Sequence, residues 1–220
     1  MCWNENISLN TFIFGIAVLI FIYYNNKYTQ YKIESFQNIN AYIFFICIIS
    51  MQLIEYFLWN SIKQKNQSMN YWWSVIGYLT VSIAQPISFL LLLPNKYNTL
   101  RNKIISIYLL ILSLNSIYKY KYNLFNFETN VKNGHLYWNW MSDCVSSDYI
   151  ISIFYFIFIL AVYNVFPVIL VLLLLQFSYL YVYKNQNWGS LWCWSFNLFF
   201  LYYLCKIMFV MPFNEYNGLC

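Results

Sequence analysis

Residues 149–183 read YIISIFYFIFILAVYNVFPVILVLLLLQFSYLYVY, about 35 positions without one Asp, Glu, Lys or Arg. As a single helix the run would extend roughly 52 Å at 1.5 Å per residue. The hydrocarbon core of a bilayer is only about 30 Å thick. Asn164 to Pro167 interrupts the run, and a proline both removes a backbone donor and crowds the preceding turn. The stretch therefore reads as two spans, 149–166 and 167–183. If Pro167 only kinked one helix, the total count of spans would fall from seven to six.

Working outward, five further apolar runs occupy 10–25, 39–59, 71–93, 103–118 and 189–211. Seven spans of about 20 residues use most of the 220 residues and leave no room for a separate soluble domain. Backbone exposed to lipid must satisfy its own hydrogen bonds, so these spans are helices. Pro94-Asn95-Lys96 ends the third span, and Lys184-Asn185-Gln186-Asn187 separates the sixth from the seventh. The fold class is thus an all-α, multi-pass transmembrane bundle.

The composition agrees. The chain is 61% hydrophobic and 9% charged, against roughly 25% charged in soluble proteins. Asn, Ile, Tyr, Lys and Phe are abundant and Arg101 is the one arginine, as an AT-rich genome would produce, which discounts Tyr, Asn and Lys as signals. Tryptophan has a G-rich codon, so nine of them run against that drift. With seven spans all nine fall on one side: Trp3, Trp59, Trp72, Trp73, Trp138, Trp140, Trp188, Trp192 and Trp194. Indole rings gather at headgroup level, and a one-sided set suggests an aromatic cap. The net charge of +5 is scattered over short loops, with no stripe for nucleic acid; the expected partners are the bilayer and a small ligand.

Met1-Cys2-Trp3-Asn4-Glu5 lacks a basic leader, so no cleavable signal is expected. Cys220 is not placed for prenylation. Lys27, Lys32, Lys96, Arg101 and Lys103 fall opposite the tryptophans, and the first helix is preceded by Glu5 alone. The positive-inside rule then favours an outside or lumenal N-terminus, although Lys63, Lys65, Lys119, Lys121, Lys132 and Lys184 nearly balance the count. The sequons at Asn6 and Asn66 fall on the tryptophan side.

Glu55 is the acidic residue inside a span, and Gln52, Glu55 and Trp59 share one helical face. A carboxylate at that depth is a candidate functional group; alternatively it reaches headgroup water. In the third span Ser74, Tyr78, Ser82, Gln85 and Ser88 form one stripe, suited to close helix packing. Pro86 frees the carbonyl of Ser82, which the neighbouring Gln85 amide could satisfy. Asn115, Gln176 and Asn197 add polar groups at middle depths, forming with Gln52, Glu55 and Gln85 either a buried network or a solute site. Lys206 invites a retinal Schiff-base reading, but the third span offers no counter-ion and the lysine can snorkel.

His135 is the single histidine, in a fourth loop of nearly 30 residues, and a structureless loop that long is uncommon unless functional. With Cys2, Cys144 and Cys193 a Cys3His site can be written, but the spacings match no metal motif. A Cys2–Cys144 disulfide is the simpler reading on a lumenal face; Cys47 and Cys205 read as plain core residues. The loop should fold back over the bundle against Trp3, Trp72 or Trp192, with His135 and Trp138 in the cap. No catalytic set, metal or cofactor is expected.

Met1-Cys2-Trp3 with Ser8, Met51-Gln52-x-x-Glu55, Gln85-Pro86, Gly134-His135-Leu136 with Trp138, and Gly189-Ser-Leu-Trp-Cys193 resemble an uncharacterised multi-span family of large DNA viruses of eukaryotes and some microbes. Gln52 and Glu55 stand in positions shifted from that family's second-span motif. The resemblance implies seven membrane helices and names no activity. Three functions are compatible with the residues: non-enzymatic binding or passage of a small ligand at the capped face, a structural role in a viral or organellar membrane, and an intramembrane enzyme using Glu55 with His135.

Overall fold

The computed structural model describes residues 4–132, 134–142 and 188–217. The two spans read at 149–166 and 167–183 lie outside the described residues, as do Trp3, Cys2, Cys144 and Gln176.

Five helices are long and apolar enough to cross a membrane. They are α1 (Glu5–Tyr28), α2 (Ile39–Lys63), α3 (Gln67–Leu90), α4 (Asn98–Lys121) and α5, which begins at Trp188 and ends at Tyr216. Each exceeds its sequence-read span by several residues at one or both ends, except that α3 stops three residues early. Polar caps carry the added turns. The side chains of Asn4, Asn38 and Asn66 accept from the backbone N–H of Ile7, Asn40 and Met69, satisfying donors that a helix start leaves open. The α2–α3 turn is tight. Lys65 takes φ 54°, and the Asn66 N–H reaches back to the Ser61 carbonyl at 2.9 Å, closing α2 in a Schellman motif.

Helices α1, α2 and α3 pack as antiparallel neighbours. Gly15 lets α1 approach α2 closely, since a Cβ there would lie 3.0 Å from Ile49. Glu5 and Lys63 pair at 2.6 Å where α1 begins and α2 ends; this is the near end. The far end holds the α1–α2 and α3–α4 connections. There Gln30 donates to Glu215 at 2.7 Å, the Tyr31 hydroxyl bonds the same carboxylate, and Asn26 pairs with both main-chain groups of Ile33. Phe36 meets Tyr203, and Phe45 stacks on Phe199 at 5.0 Å, so α5 runs parallel to α1, from near end to far end.

The polarity is inverted relative to a water-soluble protein. Ile13, Ile20, Ile107, Leu110, Leu114, Ile117, Phe209 and Phe213 are exposed, whereas Ser8, Gln52, Glu55, Ser74, Ser82, Gln85 and Ser88 are buried. Lipid tails make an apolar outer surface free of cost, and polar side chains then hold the helices together from within. The chain is an all-α membrane bundle.

Pro86 interrupts α3 as expected, through a π turn at Thr80–Ala84, one of the recognised ways a helix absorbs an inserted irregularity. The freed carbonyl finds a different partner from the one the sequence suggested. The Tyr108 hydroxyl of α4 donates to the Ser82 carbonyl at 2.5 Å, while Gln85 Nε2 reaches across to the Cys47 carbonyl at 3.3 Å. Both bonds tie α3 to a neighbour. Replacing Tyr108 by phenylalanine should strand a buried carbonyl and lower stability by about 1–3 kcal/mol. Thermal unfolding in detergent checks this, and an unchanged midpoint would mean Ser82 finds another donor. A second π turn, Lys206–Val210, precedes Pro212 in α5.

The fourth loop is not structureless. Thr129–Lys132 (β1) pairs antiparallel with His135–Trp138 (β2), from Thr129 opposite Trp138 to Lys132 opposite His135. Gly134 turns the chain at φ 77°, a conformation open to glycine without strain.

Candidate site beneath the hairpin

The hairpin is fastened to α3 by Thr129. Asn70 Nδ2 donates to the Thr129 carbonyl at 2.9 Å, and the Thr129 N–H donates to Asn70 Oδ1 at 2.8 Å. The amide thus acts as a substitute strand partner. One turn on, the hydroxyls of Ser74 and Thr129 lie 2.6 Å apart. All three residues are buried. Residues 124–128 bring Phe125 and Phe127 against Tyr78, and Trp140 meets Tyr78 edge-on at 5.4 Å. Trp138 stacks on Trp140 at 5.2 Å. These contacts close the near end of the bundle.

Glu55 lies within, at 0% exposure. Its face of α2 is set by its neighbours. Gln52 accepts from the Thr11 hydroxyl of α1 at 2.9 Å, while Met51 and Ile54 pack on Gly77 of α3. At about 100° per residue Glu55 falls between these two sides, on the seam between α1 and α3. Antiparallel packing through Gly77 sets Ser74 about level with Glu55, and Asn70 about level with Trp59. The seam therefore carries Gln52 and Glu55 at its floor, with Asn70, Ser74 and Thr129 along one wall.

The other sequence-read residues spread further. Gln85 meets α2 at Cys47, eight residues and roughly 12 Å below Glu55, and belongs to a different level. Asn197 is half-buried on α5, and Asn115 half-buried on α4. Trp192 falls in the first turns of α5. Trp72 does not receive the loop: it is 61% exposed, and the hairpin packs instead on Asn70, Ser74 and Tyr78. Trp73 stacks on Phe57 at 4.2 Å. Among the described residues no group of three metal-ligating side chains forms. Thr11, Asn70 and Thr129 were not singled out in the sequence. Asn70 extends the Ser74 stripe by one turn and could have been; Thr129 carries no local signal.

The buried indole N–H groups of Trp59 and Trp138 have no acceptor among the described residues. His135 stands differently. Alternation along β2 turns Leu136 and Trp138 into the core, so His135 and Tyr137 project from the opposite face. Burial lowers the His135 pKa below the ordinary 6.5, because desolvation disfavours the imidazolium. The folded hairpin therefore binds fewer protons than the unfolded one just below pH 6.5, and stability falls as pH falls through that window. Wild type should lose more thermal stability than His135→Gln between pH 7.5 and 5.5. Parallel losses would show that the imidazole is solvated.

Comparison with known protein families, with curated proteins and with solved structures found no match.

Proposed function

We propose that the chain is a multi-pass integral membrane protein of seven transmembrane helices that binds or passes a small solute through the seam beneath the hairpin, with Glu55 as the charged determinant. The fully buried carboxylate carries this reading. Ionisable groups inside a bundle are costly and mark substrate or ion pathways. A carboxylate accepts hydrogen bonds and favours a positive charge, and aromatic faces attract cations. The complementary solute is thus a small cation or amine, and the unpaired indole donors at the mouth suit a hydrogen-bonding group on it. The opposite orientation of His135 on its strand disfavours an acid–base pair with Glu55.

Helix α4 ends and α5 begins at the near end, so an even number of crossings belongs between them, as the spans read at 149–166 and 167–183 require. The near end is assigned to the outside or lumen, with the lysines and Arg101 of the far end inside. Uptake of sodium, potassium and methylamine into proteoliposomes tests the reading. At least one should enter faster than into protein-free vesicles, and Glu55→Gln should abolish the difference. No uptake of any, together with no thermal stabilisation by any, would leave the bundle a structural component of its membrane.

A further inference from the structure

A cavity of about 530 Å³ opens along the first turns of α4, lined by Asn98, Thr99, Asn102, Lys103, Ser106 and Ile107. It is far from the seam, at the far end, and the proposed solute path does not use it. Helical spacing puts its lining on one side of α4, roughly opposite the buried residues Tyr108, Leu112 and Lys119. That side changes character sharply along its length. The first turns offer amides, hydroxyls and one ammonium. From Ile107 onward the same stripe continues through Leu110, Leu114 and Ile117, all more than half exposed. The apolar stretch is ten residues, roughly 15 Å, close to the depth of one lipid leaflet. Residues 91–127 contain no Asp or Glu, so nothing on α4 or its flanks repels an anion.

We infer that this groove holds one anionic phospholipid: the phosphate sits in the cavity against Lys103, with Asn98, Thr99 and Asn102 as donors, and an acyl chain lies along Ile107, Leu110, Leu114 and Ile117. Polar cavity and apolar stripe share one face in the order a phospholipid presents them. The inference rests on the membrane reading above and deepens it by naming a lipid class.

The test is native mass spectrometry of the full chain released from vesicles of equal phosphatidylglycerol and phosphatidylcholine, preceded by alkaline carbonate extraction. Resistance to extraction establishes membrane integration independently of lipid choice; a chain that extracts has lost the membrane reading and this inference with it. In an integral chain, phosphatidylglycerol should be retained about fivefold over phosphatidylcholine, the factor expected for one lysine near the surface. Lys103→Gln should bring the ratio near unity. Lys96→Gln, outside the cavity, should leave it unchanged. Equal retention in wild type, or equal loss in both variants, would overturn the inference, the second by reducing it to diffuse surface charge. Displacement by inorganic phosphate as effective as by phosphatidylglycerol would overturn it too, since the acyl stripe would then contribute nothing.

Discussion

Replacing Asn70 by leucine should release the hairpin from the bundle. Asn70 satisfies both the N–H and the carbonyl of Thr129 in a buried position. Leucine can serve neither, and each stranded backbone group costs about 1–3 kcal/mol. The chain can escape that cost by letting Thr129 leave the wall for water. The expected result is therefore a lower thermal midpoint together with faster hydrogen exchange across residues 129–138. Ser74→Ala removes a single hydroxyl pair and should produce a smaller loss of the same kind. Unchanged protection in Asn70→Leu would show that the aromatic contacts of Tyr78, Phe125, Phe127 and Trp140 hold the hairpin alone.

Glu55 gives the second large effect. The carboxylate is fully buried, and Glu55→Gln retains its shape and hydrogen-bonding capacity. Glu55→Leu retains neither and leaves the polar groups facing it without a partner, at about 1–3 kcal/mol. The glutamine variant should melt close to wild type and the leucine variant clearly below it. Three equal midpoints would mean the carboxylate reaches water and has no place in a solute path. A glutamine variant as unstable as the leucine one would mean the charge holds the bundle together, and Glu55 would then be structural.

Much of the architecture could be read from the residues because lipid imposes a simple rule: a long uncharged run must be a helix. The first four spans and the last were legible on that ground. Their ends were less so. Asn4, Asn38 and Asn66 extend the helices as caps, and asparagine had been discounted as a product of base composition. The same discount hid Asn26 and Asn70, whose amides each pair with both main-chain groups of one distant residue. The hairpin carried a stronger signal. Asn133-Gly134 between Val131-Lys132 and His135-Leu136 is the preferred dipeptide of a two-residue hairpin turn, but the length of the loop drew attention away from it.

The candidate site was half legible. Gln52, Glu55 and the Ser74-to-Ser88 stripe show their inward face through helical periodicity alone. Their partners do not, because pairing across helices depends on relative depth. Thr11 meets Gln52 because Gly15 brings α1 close, Tyr108 meets Ser82 because Pro86 opens the backbone there, and Gln85 reaches Cys47 because Gly77 fixes how α3 lies on α2. None of those distances is written in a single segment. The expectation that Gln85 joins Glu55 in one cavity failed for that reason.

The central claim is that the near end, with its hairpin and aromatic residues, faces one side of a membrane and the far end the other. Labelling with an impermeant maleimide in sealed vesicles tests it most directly, using single cysteines placed in a cysteine-free background. Asn66→Cys and Val131→Cys mark the near end; Lys32→Cys and Tyr97→Cys mark the far end, all at exposed positions. The account predicts that the first pair labels from one side together, and that the second pair labels from that side only after the vesicles are opened. Equal labelling of Asn66→Cys and Lys32→Cys in sealed vesicles would contradict it, because α2 would then not cross the bilayer.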